Sequence, residues 1–203
     1  SERNMREAIM TAEAIAPCVL QIDEIEKSFS GSKSSGQTDG GTSARVMGSF
    51  LQWLQEKTAP VFVVATANDV SQLPPELLRK GRFDEVWFVD LPNEDERREI
   101  WAIQIAKHGR KPTDFDMDAL SRAADGWTGS EIEALFTESL FAAFDKGAEP
   151  DTELLLLLSQ HVVPLSKMMA AEVEALRSWA NGRARRASSV KTITAANTTR
   201  KLA

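Results

Sequence analysis

Short runs of this chain carry side chains that suit one chemistry. Val19-Leu20-Gln21-Ile22-Asp23-Glu24 is an apolar run that ends in two carboxylates. Ala65-Thr66-Ala67-Asn68-Asp69 closes a second apolar run on an asparagine. Leu77-Leu78-Arg79-Lys80-Gly81-Arg82-Phe83-Asp84 puts two guanidiniums on one turn. Hydrolysis of a phosphoanhydride needs such a set. One carboxylate, Asp23, would hold the shell of a Mg2+ ion, and Glu24 would orient or deprotonate the attacking water. Asn68 would polarise that water. Arg79 and Arg82 would neutralise charge developing on a transferring phosphoryl group, an effect worth roughly a thousandfold or more in rate. Each run alone also has a plain structural explanation. A strand can simply end in polar residues, Asn-Asp is a common turn, and the arginines can pair with Asp84 or Glu85. The order of the three, each at a strand end or a turn beyond it, favours the chemical reading, because ligands of a doubly wound sheet lie at the carboxyl ends of its strands.

The elements that must position these groups alternate. Met5, Ala8, Ile9 and Ala12 give residues 1–16 a helical period, with Ser1 as cap and Pro17 as stop. Residues 18–22 read as a strand, with Gln21 breaking its apolar run. Residues 28–43 are rich in Ser and Gly and read as a mobile loop. Val46, Phe50 and Leu54 mark a helix over 44–56, and Pro60 leads into a second strand, 61–66. Pro74-Pro75 opens a short helix that Gly81 stops. Residues 86–91 form a third strand. Helices alternating with wholly apolar strands predict a parallel sheet covered on both faces.

Beyond Pro92 the pattern is all helical. Asn93 caps a helix that carries Glu94, Asp95 and Glu96 in its first turn, where negative charge suits the helix dipole. Asp116 starts another, closed by Gly126. Thr128 and Glu131 form a capping box for a third, with Ile132, Leu135, Phe136 and Ala143 as its apolar stripe. Residues 151–160 and 166–180 make two more. The tail after Asn181 holds Arg183, Arg185, Arg186, Lys191, Arg200 and Lys201 and no acid. It is expected to be disordered. The domain reading is therefore an α/β part over 1–92, a helical part over 93–181 and a basic tail over 182–203.

Composition narrows the function. The chain has 203 residues, 42% hydrophobic, with net charge -6. That suffices for one core plus a small satellite. The acidic balance disfavours general nucleic-acid binding, although the basic tail keeps it as a third class. Cys18 is the single cysteine, so no internal disulfide forms. It is read as a buried, inert thiol. His108 and His161 lack neighbours at zinc-ligand spacing. No apolar run approaches the roughly 20 residues of a membrane helix, and no signal peptide is visible. The chain starts Ser1-Glu2-Arg3-Asn4 without Met, and is expected to be a piece of a longer protein.

On these motifs the chain resembles the AAA+ ATPase family, in the branch of unfoldases, severing enzymes and membrane-fusion ATPases. Residues 18–24 resemble its Walker B strand. Residues 65–69 resemble its sensor-1 strand, which normally ends in Thr-Asn. Residues 73–84 resemble its second region of homology, where two arginines act on ATP held by the neighbouring subunit. Gly126-Trp127-Thr128-Gly129-Ser130-Glu131-Ile132 resembles the lid motif near the nucleotide base. Ser1 to Arg6 resembles the helix start that follows the first pore loop. The resemblance spans residues 1–146. Residues 73–92 and Leu165-Ser166-Lys167-Met168-Met169 also resemble a plastid- and bacterium-encoded AAA+ subgroup.

The resemblance implies a partial doubly wound parallel sheet of the P-loop NTPase type, followed by an all-helical lid. It implies ATP and Mg2+ as cofactors, with Asp23 as the metal-side carboxylate. Glu24 is then the catalytic base, assisted by Asn68. Arg79 and Arg82 act on the next subunit's site, and Gly129 and Ser130 let backbone approach the adenine. The implied partners are other subunits in a ring, usually a hexamer, and a protein substrate. The implied location is the cytoplasm, or the plastid stroma if the gene is organellar. The family's Walker A loop has no counterpart. Gly31-Ser32-Lys33-Ser34 fails, because Ser32 and Lys27 stand where the motif needs glycine. The piece alone is therefore expected to be inactive. The alternative function is a catalytically incomplete module that caps a ring or presents its surfaces to partners. The loop at 28–43 is expected to face either the ring pore or solvent.

Overall fold

The structure is a computed structural model that describes residues 2–29, 40–79 and 81–188. The Ser1 cap, the Gly31 to Ser34 run and residues 189–203 of the expected tail lie outside them. The chain forms two compact units that divide between Val86 and Trp87.

The first unit opens with α1 (Glu2–Ala14), β1 (Cys18–Ile22) and α2 (Ile25–Phe29). It continues with α3 (Gly40–Glu56) and β2 (Val61–Ala65). The strands pair in parallel, in the register Cys18↔Val61 through Ile22↔Ala65. The apolar stripe of α3 makes the core, with Val46, Met47, Phe50, Leu51 and Leu54 buried together with Ile25 and Leu77. Met5 and Ile9 of α1 and Ile22 and Val63 of the strands pack against it. Side chains alternate across a strand. The other face of this pair therefore carries Val19, Phe62 and Val64, which are 66%, 69% and 40% exposed. Among the described residues the core lies on one face. Helix α3 also begins earlier than expected, because its first turn is Gly- and Ser-rich and leaves no apolar period to read. The Pro-led turn after β2 is a 3-10 helix, Pro75–Leu78, rather than an α-helix.

The second unit begins with β3, which is only Trp87–Phe88. It pairs in parallel with β4 (Arg185–Arg186), and Ala187 donates its amide to the Phe88 carbonyl at 2.9 Å. The expected third strand thus shrinks to two residues. The start of the expected disordered tail is instead ordered by a backbone ladder, with Arg185 over the Trp87 ring. Composition is blind to such pairing. Between them lie α4 (Glu94–Lys107), α5 (Met117–Ala123), α6 (Gly129–Asp145) and α7 (Thr152–Ser159). Then come α8 (Leu165–Met168) and α9 (Ala170–Ala180). The single helix expected over 166–180 breaks at Met169, whose φ of -116 and ψ of 38 are not helical.

Trp101, Ile105, Leu120, Trp127, Ile132, Leu135, Phe136 and Leu155 form the core of this unit. Asn93 and Glu96 exchange side-chain and backbone bonds in a capping box at the head of α4. Buried Arg97 is satisfied by the carbonyls of Ser121 and Pro92, both at 2.9 Å, and by Asp125 at 3.1 Å. Arg177 of α9 pairs with Asp90 at 2.9 Å. That carboxylate raises the Arg177 pKa further.

Candidate functional site

Parallel pairing ends β1 and β2 side by side, so the residues just past Ile22 and Ala65 share one end of the sheet. Thr66 extends the ladder. Its amide donates to the Ile22 carbonyl at 3.0 Å, and its carbonyl accepts from the Ile25 amide at 2.9 Å. Its hydroxyl accepts the Glu24 amide at 3.0 Å and donates to Asp23 Oδ1 at 3.3 Å. Gln21 Nε2 donates to that same oxygen at 3.0 Å. Glu24 holds a left-handed backbone, φ 51. A non-glycine residue in that region is strained and persists only when its surroundings hold it.

Asn68 meets the acidic couple directly. Its Nδ2 donates to Glu24 Oε1 at 2.8 Å. Its own amide donates to Oε1 of Glu26 at 3.1 Å. Glu26 is buried, and its Oε2 has no partner among the described residues. Asp69 then locks the following turn, accepting the Ser71 amide at 2.9 Å and the Gln72 side chain at 2.7 Å. Lys27 Nζ sits 2.7 Å from Glu24 Oε2. A hydrogen bond to Glu24, then its charge, raises the Lys27 pKa above 10.5. Both Glu24 oxygens therefore carry a donor.

The structure thus brings Asp23, Glu24 and Asn68 together. Arg79 caps the Pro75–Leu78 turn, and its exposed side chain makes no hydrogen bond or ion pair with another described residue. The guanidinium of Arg82 donates Nη1 to the Glu76 carbonyl of the same turn. Neither arginine bonds to Asp23 or Glu24 among the described residues. Gly129 and Ser130 belong to the second unit, in the first turn of α6, where Thr128 and Glu131 close the expected capping box.

Among the described residues no group of three metal-binding side chains converges. Asp23 is exposed, and among the described residues its hydrogen bonds go to Oδ1. Mg2+ dehydrates reluctantly and is held by one or two carboxylates, water and substrate phosphates. Asp23 fits that role and does not fit a protein cage. Thr66, Glu26 and Lys27 had no place in the sequence-based site. A Thr one residue beyond a strand was the available signal for the first. The other two depend on how α2 folds back.

Residues 1–91 match the model of the ATPase family associated with various cellular activities (AAA). The likeness to that family covers those residues. The chain's similar curated relatives are described as uncharacterized AAA domain-containing protein ycf46. That of Pyropia yezoensis is 49% identical over 190 residues, covering 93% of this chain and 38% of the relative. Those of Trieres chinensis and Guillardia theta are 44% and 45% identical, covering 93% and 89% of this chain and 38% and 36% of theirs. The chain therefore spans under half the length of these relatives. The crystal structure of the FIGL-1 AAA domain is similar at a TM-score of 0.70 and 18% identity, over 90% of this chain and 63% of that one. The same domain in complex with ADP is similar at a TM-score of 0.69, 18% identity and the same coverage. At that identity the likeness shows the α/β AAA fold. No described helix is long and apolar enough to cross a membrane.

Proposed function

We propose that this chain supplies the hydrolytic side of an ATP site in an AAA ATPase that remodels a protein substrate. The observation that carries the reading is the 2.8 Å bond from Asn68 Nδ2 to Glu24 Oε1, beside Asp23 at the end of two paired strands. The match of residues 1–91 to the AAA family and the ADP complex of the structurally similar FIGL-1 domain support nucleotide binding. Mg-ATP, when bound, supplies the phosphoanhydride that water cleaves. Asp23 is the carboxylate that would hold the Mg2+ brought with ATP. Glu24 accepts the proton of the attacking water, after one of its present donors lets go. Asn68 keeps Glu24 aimed and orients that water. Arg79 reaches, from its exposed turn, the site of the next subunit in a ring, and Arg82 braces the turn while adding charge. Gly129 and Ser130, in the first turn of α6, would let backbone approach an adenine, as the family resemblance implies. The protein works in the cytoplasm or in the stroma of a plastid.

Glu24→Gln tests this in the full-length protein. Loss of a general base lowers turnover by about 10²- to 10⁴-fold, and ATP binding persists because the amide keeps the size and an acceptor. Arg79→Ala lowers turnover with binding intact, and turnover returns in rings mixed with Glu24→Gln subunits, which supply the missing arginine. ATP hydrolysis that survives Glu24→Gln, or a full-length protein that binds no ATP, overturns the proposal in favour of a non-catalytic interaction module.

A further inference from the structure

The acidic couple is not held by its own strand. Asp23 and Glu24 lie beyond the last ladder residue of β1, and Glu24 adopts a backbone conformation that side chains other than glycine disfavour. One hydroxyl acts on both. Thr66 Oγ1 accepts the Glu24 amide at 3.0 Å and donates to Asp23 Oδ1 at 3.3 Å. Thr66 is itself fixed by its backbone, bonded on one side to Ile22 and on the other to Ile25. These bonds bracket the Asp23-Glu24 turn and fix the backbone that carries the hydroxyl. In this chain Ala67 stands between the threonine and the asparagine, so two residues of β2's extension reach the couple: Thr66 bonds Asp23 Oδ1 and the Glu24 amide, and Asn68 bonds Glu24 Oε1.

We propose that Thr66 is a positioning residue for the acidic couple. Its hydroxyl keeps Glu24 in the left-handed turn that brings the carboxylate to Asn68. It also occupies Oδ1 of Asp23 together with Gln21, leaving Oδ2 for the cation's water shell. The proposal deepens the ATPase reading and rests on it for the role of the two carboxylates. The geometry of the brace is separate from that reading.

Two measurements on full-length protein separate them. The first is hydrogen exchange at the Glu24 amide without nucleotide. Thr66→Val removes the acceptor while keeping the shape, and exchange accelerates by about tenfold or more. Thr66→Ser restores an acceptor and the protection. The second is ATP turnover. Misaimed groups cost up to about 10²-fold in rate, so kcat falls by at least about tenfold in Thr66→Val at little changed KM, and Thr66→Ser recovers most of it. If the valine variant does not fold, Thr66→Ala takes its place. Unchanged Glu24 exchange in the valine or alanine variant overturns the brace, whatever the enzyme does. Accelerated exchange with wild-type kcat overturns the positioning role alone. A serine variant as impaired as valine also overturns it, because the loss then comes from the methyl group's packing. A wild-type protein without Glu24-dependent turnover overturns the ATPase reading, and the positioning role with it, while the exchange data still decide the brace.

Discussion

Glu26 is the residue whose chemistry is most confined. It is 3% exposed, yet it carries a carboxylate. One oxygen accepts the Asn68 amide, and the other has no partner among the described residues. Buried polar groups are costly when unpaired and asymmetric in effect, since removing one partner strands the other. Glu26→Ala should therefore strand the Asn68 amide and destabilise the protein by about 1–3 kcal/mol, read as a shift in denaturant midpoint. Glu26→Gln keeps an acceptor for Asn68 and should lose less. Equal losses for the two variants would show that the Asn68 bond is not what Glu26 contributes. The residue lies two positions from Glu24, but its bond is to Asn68, in the segment that follows β2.

Among elements, the start of α6 shows how a local motif recruits a distant one. Thr128 and Glu131 satisfy each other's backbone, and Glu131 Oε1 also accepts the Leu165 amide at 2.7 Å, tying down the head of α8. Gly126 sits beside this junction at φ +77, where an added Cβ would lie 2.9 Å from Ser166 Oγ. Gly126→Ala should destabilise by about 1–2 kcal/mol from the left-handed backbone alone, with the contact adding to it. Adding Ser166→Ala removes the contact and leaves the backbone part, so thermal denaturation should show partial recovery only. Full recovery would mean the backbone at this position is not strained.

Helix α6 is also tied to α4 through Lys107 Nζ and Glu133 Oε1, 2.6 Å apart. The hydrogen bond from Lys107, then its charge, lowers the Glu133 pKa below 4.5. A lowered carboxylate pKa stabilises the fold when the group is ionised. The contribution is fully present above pH 4.5 and is lost as the pH falls through the lowered value. Lys107→Ala should therefore narrow the stability gap from wild type as the medium is acidified. A gap unchanged by acid would assign the effect of Lys107 to packing. Both side chains are well exposed, so salt should shrink the gap as well.

At the scale of the molecule, the two-stranded sheet keeps one apolar face in water. Val19 and Phe62 are register partners on that face. A doubly wound AAA fold covers both faces of its sheet, and this chain spans 38% of the length of the Pyropia yezoensis relative. Phe62→Ser should reduce dye binding and aggregation of the 203-residue chain, with stability changed by no more than about 0.5 kcal/mol. In the full-length protein the same change should cost about 1–3 kcal/mol, the scale of burying a large side chain. Equal and small effects in both would mean that the face stays bare.

What could be read along the chain was local. The helix caps at Asn93, Asp116 and Thr128 depend on contacts within a turn, and each is found where its spacing placed it. The stripe Val46, Phe50 and Leu54 is likewise buried as its period required. The order of carboxylates, asparagine and arginines was legible for the same reason, since it follows from residue types at strand ends. Pairing across the chain was not. Trp87–Phe88 finds its partner near residue 185, which composition described only as basic and polar. Asn68 meets Glu24 across 44 residues, and Thr66 reaches the Glu24 amide across 42. The left-handed turn at Glu24 and the orphaned oxygen of Glu26 arise only once β1 and β2 lie in register. A hydrogen bond needs two groups within about 3 Å of each other, and periodicity along one strand carries no information about which residue of another strand will arrive there.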